Sequence, residues 1–240
     1  MIEPKYRPKR LSIEDIKNGC VTLYGENEEE VKLCVIQEEF RQGIDTIRSF
    51  TPSVTFYGSA RLHEDHPDYK RAYSLSYRIA KELGYNILSG GGGGIMEAAN
   101  KGGFDAGAKS VGLTIYLPHE QKTNKYVTNE IPFHFFFARQ VSMSYSTEVC
   151  IFCAGGFGTL DELFEMLTLQ QTEKIGRIPI ILFGTEFWNP LQSIIKDMLV
   201  TKYNTVSAKD LDLYTITDSE DEVIKIISES RLRDGKDALA

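Results

Sequence analysis

From Ser53 onward, short apolar runs alternate with longer segments whose apolar residues recur at helical spacing, and this alternation most restricts the fold. It predicts strands at 54–57, 85–88, 111–117, 133–137, 149–153, 178–183 and 211–216. Helices are expected between and after them, at 69–83, 95–106, 138–146, 159–173, 190–203 and 219–231. Alternating strands and helices imply right-handed crossovers and a parallel sheet, hence a Rossmann-like, doubly wound α/β domain with helices on both faces. A chain of 240 residues can form one such unit, with the core at 53–231.

The first 27 residues are polar and interrupted by Gly19 and Gly25, so they read as an arm with some short helix. From about Glu28 to Phe50 the pattern changes. Val31, Cys34, Val35, Phe40, Ile44 and Ile47 recur at helical intervals among charged residues, giving an amphipathic helix that packs on its own sheet or on a second subunit.

A net charge of −7 argues against a nucleic-acid polymer as partner, whereas a small phosphorylated metabolite needs only a few local charges. Met1-Ile2-Glu3-Pro4-Lys5 lacks an apolar signal core and no run is long enough to span a bilayer, so a cytoplasmic location without membrane contact is expected. The four cysteines do not suggest a disulfide scaffold. Cys150 and Cys153 form a C-x-x-C, but three residues apart in a strand they face opposite ways, which disfavours redox or metal chemistry. His63 and His66 flank Glu64 and Asp65 in a polar loop and read as solvated; no metal or cofactor is expected.

Open parallel sheets bind ligands at the carboxyl ends of their strands, and three loops there carry small residues. They are Gly58-Ser59-Ala60-Arg61, the glycine run 90–94, and Ala154-Gly155-Gly156-Phe157-Gly158-Thr159. Glycines let backbone N–H groups approach a phosphate, whose charge the start of a helix favours. Gly58, Ser59, Gly91, Gly92, Gly155, Gly156, Gly158 and Thr159 are therefore candidate phosphate or substrate contacts. Thr159-Leu160-Asp161-Glu162 reads equally as a helix capping box or as a hydroxyl and a carboxylate at a reaction centre. A dinucleotide fingerprint is not supported, because no G-x-G-x-x-G follows the first strand.

These residues resemble the LONELY GUY family of cytokinin riboside 5′-monophosphate phosphoribohydrolases, also described as possible lysine decarboxylases. The family's P-G-G-x-G-T-x-x-E is matched from Ala154 to Glu162 with Ala in place of Pro, and its upstream Arg-Lys pair by Arg139-Gln140, followed by Met143. The similarity extends from about Thr55 to Ile227 and includes Leu117-Pro118-His119-Glu120-Gln121; it looks most like the longer bacterial branch. The resemblance implies hydrolysis of the N-glycosidic bond of a nucleoside 5′-monophosphate, without a cofactor, by a dimer or larger homo-oligomer. It further implies that Glu162 stabilises the sugar cation or activates water, and that Arg139 orients ribose, phosphate or Glu162 itself. Met143 would pack against the base or fill the core, and Gln140 would remove a positive charge near the phosphate or a partner subunit. A molybdenum-cofactor carrier of the same fold, gripping a phosphorylated ligand without cleaving it, is the rival expectation.

Overall fold

The computed structural model describes residues 13–25, 27–116 and 122–232. The stretch Leu117 to Gln121, part of the resemblance, lies outside them. Seven parallel strands form the sheet: β1 (Ser53–Tyr57), β2 (Asn86–Ser89), β3 (Ser110–Ile115), β4 (Asn129–Phe133), β5 (Cys150–Phe152), β6 (Ile180–Phe183) and β7 (Thr215–Thr217). Their spatial order is β4-β3-β2-β1-β5-β6-β7. The chain moves outward from β1 to β4, then returns beside β1 and continues the other way, so β1 and β5 flank the switch point of a Rossmann-like sheet.

Eight α-helices accompany the sheet among the described residues: α1 (Ile13–Tyr24), α2 (Glu28–Arg48), α3 (Pro67–Arg78), α4 (Ile95–Asp105), α5 (Phe136–Ser146), α6 (Phe157–Gln171), α7 (Thr185–Ile194) and α8 (Glu220–Glu229). Side chains of β1, β5 and β6 are buried throughout, as expected of central strands covered on both faces. Alternate residues feed different cores. Val54, Phe56, Ile151 and Ile181 meet α3, α4 and α8 on one face. Tyr57, Cys150, Phe152 and Leu182 meet α2, α5, α6 and Trp188 of α7 on the other. Cys150 and Cys153 fall in these opposite cores, as the period of two requires.

The apolar stripe of α2 turns inward: Ile47 joins the sheet core and Phe40 packs against it, so this helix covers its own sheet. Cys20 and Cys34 form a disulfide that ties α1 to α2 beside Ile16, Val31 and Val35. This single bridge is no scaffold, but the sequence reading did not foresee it, since spacing alone carries no sign of two helices meeting.

Most boundaries lie within two residues of the sequence expectation, and three elements depart further. The run Phe133 to Phe137 has the aromatic content of a strand, but β4 ends at Phe133 and α5 begins at Phe136. The buried Glu39 carboxylate on α2 accepts the backbone N–H groups of His134 and Phe135 at 2.7 and 3.2 Å, which withdraws them from strand pairing. Residues 208–213 form a 3-10 turn rather than strand, set by a reciprocal Ser207–Asp210 capping box. The helix expected from 190 begins at Thr185, leaving Pro190 inside α7.

Candidate active site

A cleft of about 1250 Å³ opens at the carboxyl ends of β1 and β5, where the loops after them part toward opposite faces. Its floor is the start of α6. Gly156 is the N-cap and, among the described residues, no side chain caps the helix, which leaves the first-turn N–H groups open to a ligand anion. Around Gly156 and Gly158 there is open space where a Cβ would stand, and both line the cleft. Gly155 has a different reason: a Cβ there would lie 2.2 Å from Thr159 Oγ1.

Thr159 is buried in the first turn of α6, three residues beyond the N-cap, so the capping-box reading of Thr159 and Glu162 does not hold. Instead, Glu162 lines the cleft and faces Arg139 of α5, with Arg139 Nη2 3.6 Å from Glu162 Oε1. Their side chains are 20% and 14% exposed, so the pair is open enough to meet a ligand and dry enough to feel the low dielectric. Burial pushes the Glu162 carboxyl up to about 7; the Arg139 guanidinium opposes the rise, while Asp161 and Glu165 add to it. Burial also raises the Glu165 carboxyl, against a hydrogen bond from the Ser144 hydroxyl at 3.0 Å. Among the described residues, the buried Arg139 Nε has no hydrogen-bond partner.

The remaining predicted residues divide. Gly58 and Ser59 line the cleft opposite α6. Gly91 and Gly92 do not. A Cβ on Gly91 would meet Thr114 Cγ2 at 2.8 Å, and the Gly92 carbonyl accepts the Asn124 side chain at 2.9 Å, so this part of the glycine run serves close packing within the protein. The cleft is lined instead by Gly90, where a Cβ would stand 2.7 Å from Arg139 Nη2 and 2.6 Å from Met96 Sδ. Met143 fills the core beneath α5 rather than the cleft. Gln140 donates to Asp161 Oδ2 at 3.0 Å on the α5–α6 seam, outside the cleft lining.

Residues the sequence reading passed over complete the walls. Met96, Phe136 and Phe187 supply apolar surface, while Phe157 at the mouth is 93% exposed. His66 is exposed in the loop before α3, as its solvated reading has it, and it also caps α3, its Nδ1 accepting the Asp68 N–H at 3.2 Å, and lines the cleft with Asp68 and Arg71. Only Pro67 directly after it hinted at this role. Among the described residues, no three His, Cys, Asp or Glu side chains gather as a metal site, and no lysine lines the cleft.

Comparison with known proteins places these features in context. The model of a family described as possible lysine decarboxylase matches residues 96–227, which include Arg139 and the whole α6 start. An uncharacterized protein of Archaeoglobus fulgidus is 29% identical over 123 residues, covering 50% of this chain and 78% of its own. The molybdenum cofactor binding protein of Rippkaea orientalis shares the fold with a TM-score of 0.53 at 23% identity, over 73% of this chain and 93% of that one. The molybdenum cofactor carrier protein of Chlamydomonas reinhardtii does so with a TM-score of 0.53 at 22% identity, over 74% and 96%.

Proposed function

The chain belongs to the possible lysine decarboxylase family, and on that premise we propose that it hydrolyses the N-glycosidic bond of a nucleoside 5′-monophosphate. The products would be a free base and ribose 5-phosphate. The observation that carries this reading is the half-buried Arg139–Glu162 pair beside an uncapped, glycine-lined helix start. The decarboxylase in the family's description finds no support, since pyridoxal chemistry needs a Schiff-base lysine and none lines the cleft among the described residues.

In this mechanism the 5′-phosphate sits against the N–H groups of Gly156, Phe157 and Gly158, which holds the ribose near Glu162 and removes much of the entropic cost of alignment. As the C1′–N bond breaks, its electron pair leaves with the base and C1′ becomes cationic. The Glu162 carboxylate stabilises that charge and takes a proton from the water whose oxygen attacks C1′. The proton then passes to the departing base, which balances the reaction. A carboxyl near 7 suits a group that takes and returns a proton at neutral pH. Arg139 holds the carboxylate and the sugar hydroxyls, while Phe136 and Met96 offer apolar surface to the base.

The second reading is a carrier that binds a phosphorylated ligand without cleavage, which the carrier proteins of like fold support. Incubation with a panel of nucleoside 5′-monophosphates and the matching nucleosides, with chromatography of released base, tests both. Release from monophosphates that is absent in Glu162→Ala supports the hydrolase; tight binding with no release supports the carrier.

A further inference from the structure

Glu39 is a carboxylate on a helix remote in sequence from the cleft, yet it is only 2% exposed and is committed wholly to the segment that starts α5. It accepts the His134 N–H at 2.7 Å and the Phe135 N–H at 3.2 Å, and lies 3.2 Å from His134 Nδ1. Phe135 is the N-cap of α5 and has no oxygen on its side chain with which to cap the helix. A carboxylate from 95 residues upstream instead fixes the two residues that lead into the helix, holding the N–H of the N-cap and of the residue before it and placing a negative charge at the helix end that favours one. The Phe135 carbonyl in turn accepts the Arg139 N–H at 3.1 Å. Arg139 thus sits one turn beyond the clamp.

Nothing at the guanidinium itself fixes Arg139 firmly. Among the described residues its Nε has no partner, its carboxylate neighbour Glu162 is 3.6 Å away, and at Gly90 it passes a backbone without a side chain. Its place is inherited from the backbone of α5. A buried charge is costly to keep unless its partners are well arranged, and a Ser or Asp at position 135 would have capped the helix locally. The arrangement found here instead ties α5 to α2, which the Cys20–Cys34 disulfide joins to α1.

We propose that Glu39 is a positioning residue for the Arg139–Glu162 pair, acting through the α5 start to set the separation of the two side chains. This rests on the reading of that pair as the working centre of the cleft. The groups that face Glu162 are Arg139 from α5, Asp161 and Glu165 from its own helix, and Tyr57 from β1. Arg139 alone among them lowers its proton affinity, so loosening Arg139 moves the Glu162 titration upward.

The test uses ¹³C-carboxyl NMR of ligand-free full-length protein, with the Glu162 signal assigned through Glu162→Gln. Glu39→Gln keeps the shape but presents an amide N–H to a backbone donor, and is expected to raise the Glu162 midpoint by roughly half a unit to one unit. Glu39→Asp, which keeps the charge and withdraws it by one methylene, should shift it less in the same direction. It also carries the test if the Gln variant does not fold. His134→Ala leaves both backbone donors in place and should leave the midpoint unmoved. In turnover, Glu39→Gln should lower kcat roughly 10- to 100-fold with KM for the monophosphate nearly constant, because the phosphate is held by α6. An unmoved Glu162 midpoint in a folded Glu39 variant overturns the proposal, whether or not the wild type releases base. Absence of base release from the wild type overturns the hydrolase reading and leaves the NMR arm decisive for Glu39.

Discussion

Replacing Glu162 by Gln should stabilise the protein at alkaline pH while removing its chemistry. The carboxyl rises from 4.5 to about 7 on folding because burial outweighs Arg139. At 1.36 kcal/mol per unit this corresponds to about 3 kcal/mol. The sign follows from proton counting. Below pH 4.5 both states are protonated and the folded form is unpenalised. Between 4.5 and about 7 the unfolded chain releases a proton that the folded chain keeps, so stability falls with rising pH, and above 7 the full loss is present. Gln does not ionise, so the difference between variant and parent should grow from near zero at pH 4.5 to about 3 kcal/mol by about pH 8. Urea unfolding at several pH values, with the slope on denaturant held in common, measures it. A difference independent of pH, or one that shrinks as pH rises, would refute the reasoning. It would mean that Arg139 overrides burial and holds the carboxyl low.

Gly155→Ala forces a Cβ to 2.2 Å from Thr159 Oγ1 and should cost about 1–3 kcal/mol in urea unfolding, whereas Gly158→Ala enters open space. The latter should leave stability nearly unchanged and weaken nucleoside monophosphate binding by calorimetry; equal effects at both sites would contradict a ligand role for Gly158. Gln140→Lys should alter affinity for the monophosphate less than about threefold, because Gln140 serves Asp161 on the helix seam; a larger gain would restore its side chain to the phosphate. Cys34→Ser opens a bridge across 14 residues and should loosen α1 by about 3 kcal/mol, seen as faster amide exchange there with β1 and β5 unchanged.

The order of strands and helices was legible because it rests on periodicity alone. Val149 to Cys153 feeds two cores by alternation, and Leu163 and Met166 face one core across a helical turn, with no help from distant residues. That Glu162 and Arg139 meet at the cleft was legible through a local glycine turn and a motif of fixed spacing. What escaped depends on groups far apart in the chain. The start of α5 is set by Glu39, and nothing between Phe133 and Phe137 announces a carboxylate arriving from another helix. The choice of Gly90 over Gly91 and Gly92 as the cleft glycine is likewise invisible in a run of identical residues, since it is decided by where Arg139 passes. For the same reason the sequence left Met143 open between core and base and did not single out Met96, which lines the cleft: apolar side chains carry no mark of whether they fill a core or line a cavity.

The energetic burden of Glu162 bears on the choice between hydrolase and carrier. A carrier needs only the open N–H groups of α6, which would hold a phosphate whatever stands at position 162. It gains nothing from a carboxyl that burial disfavours ionising, and a Gln there would still hydrogen-bond a sugar hydroxyl. A hydrolase needs a group that both accepts and returns a proton near neutrality, and the raised carboxyl provides it. Stability and ligand release measured on the same Glu162→Gln protein therefore separate the readings. Greater alkaline stability with loss of base release marks a site that sacrifices stability for turnover. Greater stability with unchanged ligand affinity, and no release even from the parent, leaves the carboxylate without a task in the cleft and favours the carrier.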